Sequence, residues 1–99
     1  MNSTNNLAVV ILTYNEEMHI ERAIKSVQSI ASEIFVIDSG SKDATVKIAQ
    51  KNGATVLYHP FINQAKQFNW ALDNAPITAS WIMRLDADEI IESDLALEI

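Results

Sequence analysis

The sequence predicts an α/β fold, a parallel β-sheet with helices on both faces, and three observations predict it. Short β-branched apolar runs lack polar alternation, as strands buried on both faces do. Segments of helical periodicity separate these runs, and turn residues sit at the junctions. "LAVVIL" (7–12) is the first run. After "TYN", Ile20, Ala23, Ile24, Val27, Ile30 and Ala31 recur at helical spacing, with Asn15 placed to cap the helix and Glu16 and Glu17 to complement its dipole. "EIFVID" (33–38) repeats the buried-strand signature. "SGSKD" then supplies a turn, with Ser41 as N-cap and Gly53 as C-terminal cap of a helix ending near Asn52. "ATVLYH" (54–59) is a third strand. Gln64 to Asn74 is a third helix with Ala65, Phe68, Leu72 and Ala75 on one face, closed by Pro76. "SWIMRLD" (80–86) is a fourth buried strand. Strands alternating with helices at this density imply right-handed βαβ crossovers and parallel pairing.

With 99 residues, 48% hydrophobic composition and only two glycines and two prolines, one compact domain is expected over residues 7–99, behind a flexible lead at 1–6. The formal net charge of −6, with seven Lys and Arg scattered along the chain, argues against nucleic acid as a partner. Without cysteine there is no disulfide, thiolate metal site or cysteine nucleophile, which suits a reducing compartment, and the cytoplasm is the expected location. The first apolar run is too short for a secretory core or a membrane span of about 20 residues. A fresh amphipathic segment starts at "SDLALEI", so a longer parent protein is expected, of which this is the N-terminal piece.

In open parallel sheets ligands bind beyond the carboxyl ends of the strands. Here those ends carry Thr13, Tyr14 and Asn15, then Asp38, then His59, then Asp86 with Asp88 and Glu89 behind it. In an extended segment Asp86 and Asp88 face one side roughly 7 Å apart, so one ligand touches both. Such carboxylates repel each other and any phosphate unless a hard divalent cation sits among them, and oxygen donors without Cys or His suit Mg²⁺ or Mn²⁺. D-x-D alone is a weak motif, most often a pair of solvated carboxylates. Its position at a strand end is what raises it.

Three segments together, "VVILTYNEE", "VIDSGSKDAT" and "WIMRLDADE", resemble the successive signatures of the nucleotide-sugar half of family 2 glycosyltransferases, in order and spacing, from about Leu7 to Glu92. The resemblance implies the N-terminal part of a GT-A fold, which is Rossmann-like. It implies that Thr13, Tyr14, Glu17 and Asp38 hold the nucleobase and ribose, that Asp86 helps hold the ribose, and that Asp88 with Asp86 binds the metal bridging a nucleotide diphosphate. "KQFNWALDNA" resembles the family's segment before the D-x-D strand, most closely in enzymes of lipopolysaccharide core biosynthesis, and offers Lys66 to the diphosphate, although the family does not fix a lysine there. The implied parent transfers sugar with inversion from a nucleotide-diphosphate sugar, UDP-linked, to a saccharide or lipid-linked acceptor. The implied partners include a membrane surface, met peripherally by the parent. The family's general base lies well downstream of the D-x-D, beyond this chain, so no catalytic residue is assigned and the piece is expected to bind donor only. The alternative is a non-catalytic nucleotide-sugar-binding or interaction fragment. Self-association through uncovered sheet edges is a further expectation.

Blander roles stand beside these. Asp38 before Ser-Gly is ordinary turn chemistry, Tyr14 serves equally as a rim aromatic, and Glu16 and Glu17 belong in a first helical turn. His19 and His59 have no ligand spacing, Trp70 and Trp81 fit the core, and Arg84 needs a carboxylate or a route to solvent. Other classes fit less well. A haloacid-dehalogenase-type phosphatase has its D-x-D after strand one, a dinucleotide-binding domain has a glycine-rich turn where "TYNEE" has none, and a signalling receiver has an acidic pair there.

Overall fold

The computed structural model describes residues 6–87. Its elements alternate as expected: β1 (Leu7–Thr13), α1 (Ile20–Val27), β2 (Glu33–Asp38), α2 (Thr45–Lys51), β3 (Thr55–Tyr58), α3 (Gln64–Asn74) and β4 (Trp81–Asp86). All pairings are parallel, and the sheet order is β3-β2-β1-β4. The β1–β2 register sets Thr13 opposite Asp38, and the β1–β4 register sets Leu12 opposite Asp86.

β1 is buried along its whole length because it has a strand on each side and helices on each face. Its odd residues Leu7, Val9 and Ile11 pack with Ile20, Ala23, Ile24 and Val27 of α1, Val36 of β2 and Ala49 of α2. Its even residues Val10 and Leu12 pack with Ile37 and with Ala71 of α3. The alternation of side chains along a strand thus divides one apolar run between two cores. Helices α1 and α2 cover one face and α3 covers the other, which is the Rossmann-like α/β architecture.

Several local expectations change. Asn15 does not cap α1: it has φ 53°, and the helix begins at Ile20, with His19 before it and no side-chain cap. Ile30 and Ala31 follow the end of α1 and still pack on its core. Ser41 does not cap α2, which begins at Thr45. Gly53 does close α2: at φ 91° its N–H donates to the Gln50 carbonyl (3.1 Å) and the Ala54 N–H donates to that of Ala49 (3.1 Å), the paired bonds of a Schellman motif.

The inward face of α3 is Gln67 and Ala71, while Ala65 is exposed and Leu72 is 39% exposed. Of the expected face, Phe68 is half-buried and packs on the same core as Ala71. Asn63 caps the helix, its Oδ1 accepting the Lys66 N–H at 2.8 Å. β4 is not buried on both faces. The α3 core draws on β1, β2 and β3 and takes nothing from β4, so Ile82 and Arg84 on that face are exposed, while Trp81, on the same face as Met83 and Leu85, is 72% exposed at the start of the strand. Trp70 is half-buried, as expected, and stacks on His59.

Candidate functional site

The chain runs outward from β1 through β2 to β3 and returns to the opposite side of β1 for β4. The order switches between β1 and β4, and at such a point the diverging loops leave a crevice at the carboxyl ends of the strands. An open cleft of about 220 Å³ lies there, lined by Leu12, Thr13, Tyr14, Glu16, Ser39, Phe61, Gln64, Asp86 and Ala87.

Beneath it, Asp38 organises the floor. Its side chain is 3% exposed, and Oδ1 accepts from Thr13 Oγ1 (2.9 Å) and Ser41 Oγ (2.5 Å), while Oδ2 accepts from the N–H groups of Gly40 (2.9 Å) and Ser41 (2.7 Å). Two strand ends in register and one tight turn are thereby held by a single carboxylate. Gly40, at φ 102°, is the turn residue that lets both amides point inward.

Above this floor the loop after β1 is clasped to the loop after β2. The Asn15 N–H donates to Ser41 Oγ (2.7 Å), and Asn15 Oδ1 accepts from the Lys42 N–H (2.8 Å). The Glu16 N–H donates to Thr45 Oγ1 (2.8 Å), the Glu17 N–H to Asp43 Oδ2 (3.2 Å), and Glu17 Oε1 accepts from the Ala44 N–H (2.9 Å). Asp43 Oδ1 also accepts from the Thr45 hydroxyl and its N–H. Desolvation raises the Asp43 pKa, but the bonds from the Thr45 hydroxyl, the Thr45 N–H and the Glu17 N–H together outweigh it and hold the carboxyl below its ordinary value of 3.8.

Of the residues singled out in the sequence, the structure brings Thr13, Tyr14 and Asp86 to the cleft wall. Tyr14 is 53% exposed at the rim, and Asp86 is half-buried with Gln64 Nε2 3.4 Å from Oδ2, a weak contact. Asp38 lies under the wall. Glu17 is turned toward the start of α2, and Lys66 is exposed in the first turn of α3, so neither lines the cleft. Asp88 lies outside the described residues. Among the described residues no group of three or more His, Cys, Asp and Glu is placed to hold a metal ion. Six lining residues carry no binding role in the sequence pattern: Leu12, Glu16, Ser39, Phe61, Gln64 and Ala87. The rule that ligands gather at strand ends, applied in full to the segment after β3, would have found Phe61 and Gln64.

A parallel, Rossmann-like sheet in the order β3-β2-β1-β4, with helices on both faces, is the architecture of the N-terminal part of a GT-A fold. The chain belongs to glycosyl transferase family 2, whose family model matches residues 8–99. It is 41% identical over 96 residues to an uncharacterized glycosyltransferase of Rickettsia bellii, a match covering 97% of this chain and 32% of that one. It is 31% identical over 94 residues to the lipopolysaccharide core biosynthesis glycosyltransferase LpsC of Rhizobium meliloti, covering 90% of this chain and 34% of that one. Among solved structures it is similar to glucosyl-3-phosphoglycerate synthase from Mycobacterium tuberculosis in complex with Mn²⁺ and UDP-glucose, with a TM-score of 0.69 and 28% identity over 85% of this chain and 33% of that one. The same synthase in complex with Mn²⁺, UDP and glucosyl-3-phosphoglycerate gives a TM-score of 0.67 at 27% identity, over 82% of this chain and 33% of that one. The chain thus spans about a third of the length of these relatives.

Proposed function

We propose that this chain is the donor-binding part of a glycosyltransferase that takes a sugar from a nucleotide-diphosphate sugar, UDP-linked, and passes it with inversion to a saccharide or lipid-linked acceptor in the cytoplasm. The observation that carries this reading is the cleft at the switch point, where Thr13, Tyr14 and Asp86 meet at the carboxyl ends of β1 and β4. The solved relatives in complex with Mn²⁺ and UDP or UDP-glucose support it.

The donor set fits a hard divalent cation. Asp86 presents carboxylate oxygen and the chain has no cysteine, and a metal held by one or two carboxylates leaves positions for diphosphate oxygens. Asp86 and Asp88 would hold the ion, which when bound offsets negative charge building on the departing diphosphate. The chain's own residues do the rest of the binding. Tyr14 offers an aromatic face at the rim for a base or ribose. The Asp38 carboxylate, saturated by four donors, holds Thr13 and the Ser39–Ser41 turn rigid so that the wall is formed before ligand arrives. Acceptor activation needs a base that this reading places in the remainder of the parent enzyme.

Calorimetry of UDP binding with and without Mn²⁺ tests the proposal. Binding is expected only with the metal, and Asp88→Ala is expected to lower affinity by at least tenfold, a loss of about 1.4 kcal/mol or more. Equal affinity with and without metal would remove the assignment of Asp86 and Asp88.

A further inference from the structure

Gln67 of α3 is completely buried, and its carboxamide makes three hydrogen bonds. Nε2 donates to the carbonyl oxygen of His59 and to Ser39 Oγ, both at 3.0 Å, and Oε1 meets His59 Nδ1 at 2.8 Å. The chemistry of the partners sets the direction of each bond. A carbonyl oxygen only accepts, so the amide nitrogen must face it, and Oε1 is left to face the imidazole. Nδ1 of His59 therefore carries a proton, and its ring, stacked on Trp70 with centroids 4.5 Å apart and planes at 25°, has one tautomer and one orientation.

The consequence for Ser39 is directional as well. Its oxygen accepts the Gln67 N–H, so its own proton points elsewhere, and none of the described residues accepts it. Ser39 lines the cleft. We propose that Gln67 is a positioning residue that turns the Ser39 hydroxyl proton into the cleft, where it donates to an acceptor atom of the bound nucleoside diphosphate. The inference rests on the nucleotide-sugar reading above. The same carboxamide ties α3 to the ends of β2 and β3, since Ser39 follows Asp38 and the His59 N–H donates to the Asp38 carbonyl at 3.0 Å.

The test titrates UDP with Mn²⁺ into the full-length protein and into Ser39→Ala, Gln67→Glu and the double variant, with melting temperatures measured alongside. In Gln67→Glu the buried carboxylate accepts the Ser39 proton and withdraws it from the cleft. Each single variant is expected to weaken UDP binding by roughly tenfold, and the double variant by no more than either one, because both remove the same bond. Gln67→Met keeps the volume and offers Ser39 neither donor nor acceptor. It is expected to fall between wild type and Ser39→Ala, and it serves if Gln67→Glu does not fold. A merely structural Gln67 would lower the melting temperature and leave the affinity of the folded protein unchanged, or its effect would multiply with that of Ser39→Ala. Either result overturns the inference while wild-type binding preserves the nucleotide-sugar reading. A wild type that binds no UDP with Mn²⁺ overturns both.

Discussion

Asp38 occupies a strand end where an acid can serve as turn former or as ligand, and "DSG" is compatible with both. Its four hydrogen bonds come from the end of β1 and from the turn, and one of them, from Thr13, exists only because β1 and β2 pair in the register that sets Thr13 opposite it. That donor is 25 residues away in the chain, so no local pattern announces it. Replacing Asp38 by alanine leaves buried donors without an acceptor. Asp38→Ala is therefore expected to cost about 3 kcal/mol or more, read as a lowered urea midpoint. A carboxylate serving only to touch ligand would leave that midpoint unchanged. Ser39 and Gln67 give no signal in the sequence for a related reason. A serine beside a helix start and a glutamine within one are unremarkable until the fold brings β2, β3 and α3 together.

The elements are held to one another by carboxylates with lowered pKa values, which makes their junctions sensitive to acid. Glu33, at the start of β2, accepts from the Thr78 hydroxyl (2.7 Å) and from the N–H groups of Thr78 and Ala79, so it pins the connection between α3 and β4. The Thr78 hydroxyl is the main cause of its lowered pKa, desolvation opposes it, and the two N–H groups add to the lowering. Asp43 does the same for the clasp between the loops after β1 and β2. Both folded values lie below the ordinary ones of 4.5 and 3.8. The stabilisation is thus complete above those ordinary values and is lost as pH falls through the lowered ones. Urea midpoints measured across pH should be flat in this respect above 4.5 and fall below it, and Glu33→Gln with Asp43→Asn should reduce that fall. The boundaries of β1, β2 and α3 were legible from apolar runs and from Pro76. The start of α1 was not, because Asn15 binds the neighbouring loop at Lys42 in preference to the helix that follows it.

In the whole molecule, burial follows position in the sheet more than it follows the apolar character of each strand. β1 and β4 look alike in sequence, yet Ile11 is 0% exposed in the centre and Trp81 is 72% exposed on the outer strand of the described sheet. Ile11→Ala is expected to cost about 2–5 kcal/mol by denaturant unfolding, while Trp81→Ala stays within about 0.5 kcal/mol of wild type. Equal costs would mean that Trp81 is covered. Periodicity and turn chemistry were enough to establish alternating strands and helices, parallel pairing and the gathering of polar residues at the carboxyl ends, because these depend on neighbours a few residues apart. Three ordered motifs were enough for the family. Strand order was not contained in any of them. Placing β4 beside β1, and not beside β3, is what brings Asp86 to the same cleft as Thr13 and Tyr14. The physical reason is that register and packing join residues tens of positions apart, and their energies depend on which face each side chain finds, a choice that spacing along the chain leaves open.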